Sequence, residues 1–145
     1  MVSSSLREQL EAAQEQAHEK VRDRQRTAGR LKAEVERRKA DVQQARAELT
    51  KLEGCQRVAA DRCQELLAYQ KGCVNIDLSD RLNILADDSR VWLQRVERQR
   101  VVLSEAETEL RESETRMAVV IEGYEEARRN WQGIVAEIAR ADQPA

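Results

Sequence analysis

The chain has 145 residues, of which 36% are charged and only 3% aromatic, with no Phe and a formal net charge of −2. Length alone suggests one domain, but aromatic side chains usually dominate a compact core. Their scarcity beside many Ala, Glu, Arg, Gln and Leu residues points instead to long helices or a coiled coil. The near balance of charge gives no global attraction to nucleic acid or anionic lipid.

The N-terminal stretch MVSSSLREQLEAAQ has neither an apolar core nor a cleavage site, so a secretory signal is not expected. The longest apolar run, Ala118 to Ile121, is far shorter than the roughly 20 residues needed to cross a bilayer, so no membrane insertion is expected. With three cysteines and no signal, the expected setting is cytoplasmic.

The first predicted element is a long helix over about residues 5–71. Its apolar residues recur at 3-4 spacing through Leu10, Ala17, Val21, Ala28, Leu31, Val35, Val42, Ala45, Leu49, Leu52, Ala59, Cys63 and Leu66. Gln14, Arg24, Arg38 and Gln56 fill the remaining seam positions, where long side chains can reach out to solvent. The helix also contains Gly29 and Gly54, each costing about 1 kcal/mol relative to Ala.

A turn follows over about 72–77, within LLAYQKGCVNIDLSDRL. Gly72 is expected to end the first arm in a left-handed conformation. Asp77 is expected to cap the second arm, with Asp80 in its first turn favoured by the helix dipole. Val74, Ile76 and Leu78 would form an exposed apolar tip.

The second helix is predicted over about 78–141. Its seam runs from Leu82 and Leu85 through Ser89, Trp92, Val96, Gln99, Leu103, Ala106, Leu110, Ser113, Met117, Val120, Tyr124, Ala127, Trp131, Ile134 and Ile138 to Ala141. An unbroken seven-residue period in both arms predicts a left-handed supercoil.

The two seams match if the chain folds back near residue 74, so that positions whose numbers sum to 148 face each other. Leu52 then meets Val96, Ala45 meets Leu103, Ala17 meets Trp131 and Leu10 meets Ile138. Large residues opposite small ones allow the layers to interdigitate. Charge agrees: residues 20–39 are rich in Lys and Arg, and the facing 109–128 are rich in Glu.

The expected fold is therefore all-α, a long two-helix antiparallel coiled-coil hairpin with one mid-chain turn, occupying residues 1–145 as a single unit. At 1.5 Å per residue such a hairpin would be roughly 95–100 Å long. Gly123 lies nearly opposite Gly29 in this register, a place where the arms could bend or approach closely.

Catalysis is not expected. His18 is the only histidine and is distant in sequence from Cys55, Cys63 and Cys73, so no Cys-His pair forms nearby. The three thiols are too far apart along a helix for zinc, and Cys63 falls on the seam as a small core residue. No phosphate-cradling glycine motif is present, so no metal, cofactor or nucleotide site is expected. The basic block at 22–39 lacks interleaved aromatics and faces an acidic arm, which argues against nucleic acid.

Apolar residues off the seam are Val58, Leu67, Ile84, Val91, Leu93, Val101, Val102, Val119, Ile121 and Val135. They form either a partner surface or an ordinary helix exterior.

In layout, with a long first arm, a turn after LAYQKG, then VWLQRVERQRVVL and YEEARRNW, the chain resembles the FliJ/YscO family of type III secretion systems, flagellar or injectisome. The resemblance implies a role in protein transport, and in virulence for an injectisome, as an elongated monomer. Such a monomer would form the central stalk of a hexameric secretion ATPase and couple it to the export-gate protein and secretion chaperones. It also implies a cytoplasmic location peripheral to a membrane-embedded apparatus. Carried over by position, Leu6, Leu10, Trp131, Ile134 and Ile138 would lie at the ATPase end. Val74, Ile76, Leu78, Ile84, Val91 and Leu93 would lie at the export or chaperone end. The competing expectations are a generic coiled-coil scaffold or tether that oligomerises through its helices, and a small holdase-type chaperone.

Overall fold

The computed structural model describes residues 4–73 and 75–143. It is 95% helical, with two helices packed against each other as a hairpin. Helix α1 spans Ser4–Gly72 and helix α2 spans Ser79–Ala141, each end within a residue of the expected arm. By internal packing the chain divides into a terminal unit, with residues up to Arg37 and from Arg111 onward, and a central unit, Arg38–Leu110.

In the terminal unit the fully covered residues are Ala17, Val35, Ser113 and Ala127. His18 stacks on Trp131 with ring centroids 5.4 Å apart. Arg7 donates to Asp142 at 2.6 Å, and the Arg24 guanidinium lies over Gly123. These pairs carry the numbering relation expected from the seams to within one residue. Ser113 has no exposed surface, yet its hydroxyl is satisfied: it donates to Glu34 at 3.3 Å and accepts from Arg116 at 3.2 Å. A seam serine is tolerated here because a partner crosses from the other helix.

In the central unit the covered residues are Val42, Ala45, Ala59 and Val96. Gln99 donates its amide to the Ala45 carbonyl at 3.2 Å, and Arg38 pairs with Glu109 at 2.6 Å. The Nε of Arg38 is buried without a partner, so this seam cation is only partly compensated.

Among the described residues, every buried one lies on the heptad seam, and all are small or β-branched. Two helices cover a stripe rather than enclose a volume. Seven Ala and Val residues disappear into that stripe, while Val21, Ala28 and Val120, like the larger Leu10, Leu31, Trp92 and Trp131, remain half-covered. Arg24, in contrast to the other seam residues, is exposed, because its long side chain leaves the interface.

The turn differs from expectation in one respect. No described glycine has a positive φ, so Gly72 does not take a left-handed conformation and is simply the last residue of α1. The helix ends through a tightened bond from the Cys73 N–H to the Gln70 carbonyl, 3.2 Å. The Gln70 side chain then does the work assigned to glycine: its Nε2 donates to the Ile76 carbonyl and its Oε1 accepts from the Leu78 N–H, both at 2.7 Å. One amide side chain thus satisfies two loop groups, and no left-handed residue is required. Asp77 does cap α2, its Oδ1 accepting from the Ser79 N–H at 2.9 Å and from the Ser79 hydroxyl. Those hydrogen bonds, the hydroxyl's foremost, hold the Asp77 carboxyl below its usual range.

The close approach foreseen between Gly29 and Gly123 is also different. Nothing lies within 4 Å of a Cβ built on Gly29, whereas at Gly123 that position is 2.7 Å from Arg24 Nη1. The notch at Gly123 receives a seam arginine rather than another backbone.

Candidate interaction surfaces

At the turn, Val74 lies outside the described residues. Ile76 is exposed, but Leu78 is half-buried, held inward by the bond from its N–H to Gln70. The expected three-residue apolar tip therefore has only Ile76 presented to solvent among its described members.

Ile84, Val91 and Leu93 are all exposed, but they do not form one patch. At about 100° per residue, Ile84 and Val91 fall on one face of α2 and Leu93 points to the opposite side. Val102, eleven residues after Val91, returns to the Val91 face and is exposed as well. Heptad position therefore separates residues that simple sequence proximity groups together.

Among the terminal candidates, Leu6 is exposed, while Leu10, Trp131, Ile134 and Ile138 are half-buried on the seam. Their apolar faces are largely spent between the helices. Trp131 lines a shallow recess with Glu11, Gln14, Glu15 and His18, and its indole N–H has no hydrogen-bond partner. Arg7 bonds to Glu11 and faces Asp142, in that order of effect, and is held cationic more firmly than a free guanidinium.

Sequence reasoning did not find a groove in the central unit. It has a volume of about 460 Å³ and is lined by Lys51, Gly54, Cys55, Val58, Ala59, Arg62, Asp88 and Trp92. The Arg95 guanidinium stacks over the Trp92 ring at 4.8 Å. Val58, on the groove wall, is 50% exposed, and Val91, next to Trp92 in sequence, is 44% exposed. The signal was present in the heptads: Lys51, Val58 and Glu65 form one column at seven-residue spacing, as do Asp88 and Arg95 on α2.

Among the described residues, no group of three or more His, Cys, Asp or Glu is placed to hold a metal ion. Among the described residues, no helix is long and apolar enough to cross a membrane. The three cysteines are free and half-buried, so Cys55 and Cys73 are less exposed than ordinary surface thiols. No protein-family model, curated protein or solved structure matches the chain.

Proposed function

We propose that this chain is a non-enzymatic coupling element, the central stalk of a type III secretion ATPase, which links that ring to the export gate and to cargo chaperones. The observation that supports this reading is the hairpin of two long helices packed against each other. A pair of long helices stitched in this way transmits force or position through backbone stiffness and has no need of an enclosed catalytic pocket. The family resemblance in layout supplies the assignment to secretion, and with it the cytoplasmic site of action beside a membrane-embedded apparatus.

The test is a pull-down from the native cell followed by an assay of ATP hydrolysis. The stalk reading expects recovery of a hexameric secretion ATPase whose turnover rises when purified chain is added. Absence of ATPase contact, with a tight dimer by light scattering, overturns it in favour of a scaffold.

That scaffold reading has an observation of its own. Among the described residues, eight large aliphatics of the central unit are exposed, Val58, Ile84 and Val91 among them. Association through the helix exteriors would cover them.

A further inference from the structure

We infer that the groove at Val58 and Trp92 is a self-association face, taken by the same groove of a second copy of this chain in an antiparallel, two-fold arrangement. Val58 and Val91 are half-exposed aliphatics beside a half-buried Trp92, and Gly54 opens the α1 side of the groove, with nothing within 4 Å of where its Cβ would stand. A helix surface of this kind is sticky but small.

Charge decides the occupant. A two-fold axis across the helices at the level of Val58 and Trp92 sets α1 of one copy antiparallel to α1 of the other, and α2 likewise. Such a contact is isologous, so every pairing occurs twice. Along α1, Val58 then meets its own copy and Lys51 meets Glu65. Along α2 the same axis falls near residue 90, which sets Asp88 within one helical turn of the partner copy's Arg95 and Val91 within one turn of its Trp92. Apolar side chains coincide at the centre, and the two columns that flank it, Lys51 with Glu65 and Asp88 with Arg95, bring opposite charges together, while Arg62 falls opposite Gly54. Moving the axis by one heptad toward Gln44 sets Lys51 against Lys51 in α1, which is repulsive. The face is self-complementary in only one of these two registers, and that is the register that also superposes the apolar centre.

Asp88 and Arg95 cannot satisfy one another within a single chain. They stand seven residues apart on one helix, a separation of about 10 Å along its axis. Arg95 is instead laid over Trp92, which lines the groove together with Asp88.

The pairing goes beyond the stalk reading and is read by a different measurement. Sedimentation equilibrium on the purified full-length chain, under reducing conditions, is expected to show a concentration-dependent rise from 16.6 kDa toward twice that mass. The face offers few residues beside the roughly 20–30 a side of a standard interface, so the midpoint should fall at high micromolar concentration. Asp88→Arg alone and Arg95→Asp alone should each weaken association about tenfold, while the double swap Asp88→Arg/Arg95→Asp should restore it. Val58→Cys should form an oxidative cross-link with its own copy that is absent from the parent chain. A monomer at every concentration together with no Val58→Cys cross-link overturns the inference. So does a dimer indifferent to both charge reversals, as would be seen if the groove served a different protein and self-association ran elsewhere. Either failure leaves ATPase binding and stimulation free to succeed or fail independently.

Discussion

The terminal and central units are built from the same heptad grammar but distribute their residues differently. Both bury four small residues on the seam, and each has one tryptophan, Trp131 in the terminal unit and Trp92 in the central one. The terminal unit spends its tryptophan inward, stacked on His18. Polar groups bridge the helices in both units, Arg7 with Asp142 and Ser113 with Glu34 in the terminal one, Arg38 with Glu109 and Gln99 with the Ala45 carbonyl in the central one. Among large aliphatics the terminal unit exposes Leu6, Val119 and Ile121, against eight in the central unit. The central unit carries its tryptophan on the wall of a groove with a cation above it. Helices of one pattern thus produce one region that is closed on itself and another with apolar surface to spare. Spare apolar surface, rather than the seam, is what an association partner can recognise.

The largest test of this contrast places a charge in each stripe. Val35 and Val96 are each 2% exposed, and an Asp at either site is expected to cost about 3–5 kcal/mol. With Trp131→Phe or Trp92→Phe backgrounds, the remaining tryptophan reports on one unit. Val96→Asp should shift Trp92 emission at lower denaturant than Trp131, and Val35→Asp should do the reverse. Coincident shifts in both variants would mean that the two regions unfold as one.

A smaller effect is expected at the polar seam of the central unit. Removing the partner in Glu109→Ala leaves Arg38 half-covered and unpaired, at a cost of about 1–2 kcal/mol in chemical denaturation. Arg38→Leu should instead be neutral or stabilising by about 1 kcal/mol, since an apolar seam residue replaces a cation whose Nε is unsatisfied. Equal losses from both variants would show the ion pair to be a net stabiliser.

The terminal unit offers a matched pair of glycines. Gly29→Ala should stabilise by about 1 kcal/mol, because its Cβ enters open space and the helix gains propensity. Gly123→Ala should gain less, since the new methyl must displace Arg24 from a contact at 2.7 Å. Thermal melts of the two variants give the ranking directly, and a greater gain at Gly123 would rule out the notch.

The smallest effect belongs to the turn. Folding depresses the Asp77 carboxyl, so its contribution is present above the ordinary carboxylate range and is lost as pH falls through the lower folded value. Acidification should therefore fray the start of α2 in the parent chain. Asp77→Ala should abolish that pH response, as read by amide exchange at Ser79 and Asp80.

Much of this fold is legible residue by residue. The seam positions that composition and 3-4 spacing single out are the positions that are covered, and Arg24 leaves the seam as a long side chain does. The turn is less legible. Gly72 has the residue type for a left-handed stop, but the helix ends through Gln70, whose double hydrogen bond depends on where the loop carbonyl and amide come to lie. The candidate surfaces are legible only by face. Ile84, Val91 and Leu93 share a neighbourhood in sequence, yet two of them lie on one side of α2 and the third on the other.

By itself the sequence determined the two helices, the seam between them and the register, because a seven-residue period with matched large and small layers satisfies one pairing far better than its neighbours. Only tertiary structure decided which small residues vanish from solvent, that Ser113 is satisfied by Glu34, that Gly123 cradles Arg24, and that a groove opens at Val58 and Trp92. Those outcomes depend on how far each side chain reaches across the interface. Reach is a property of two backbones at a fixed separation, and periodicity along one chain does not encode it.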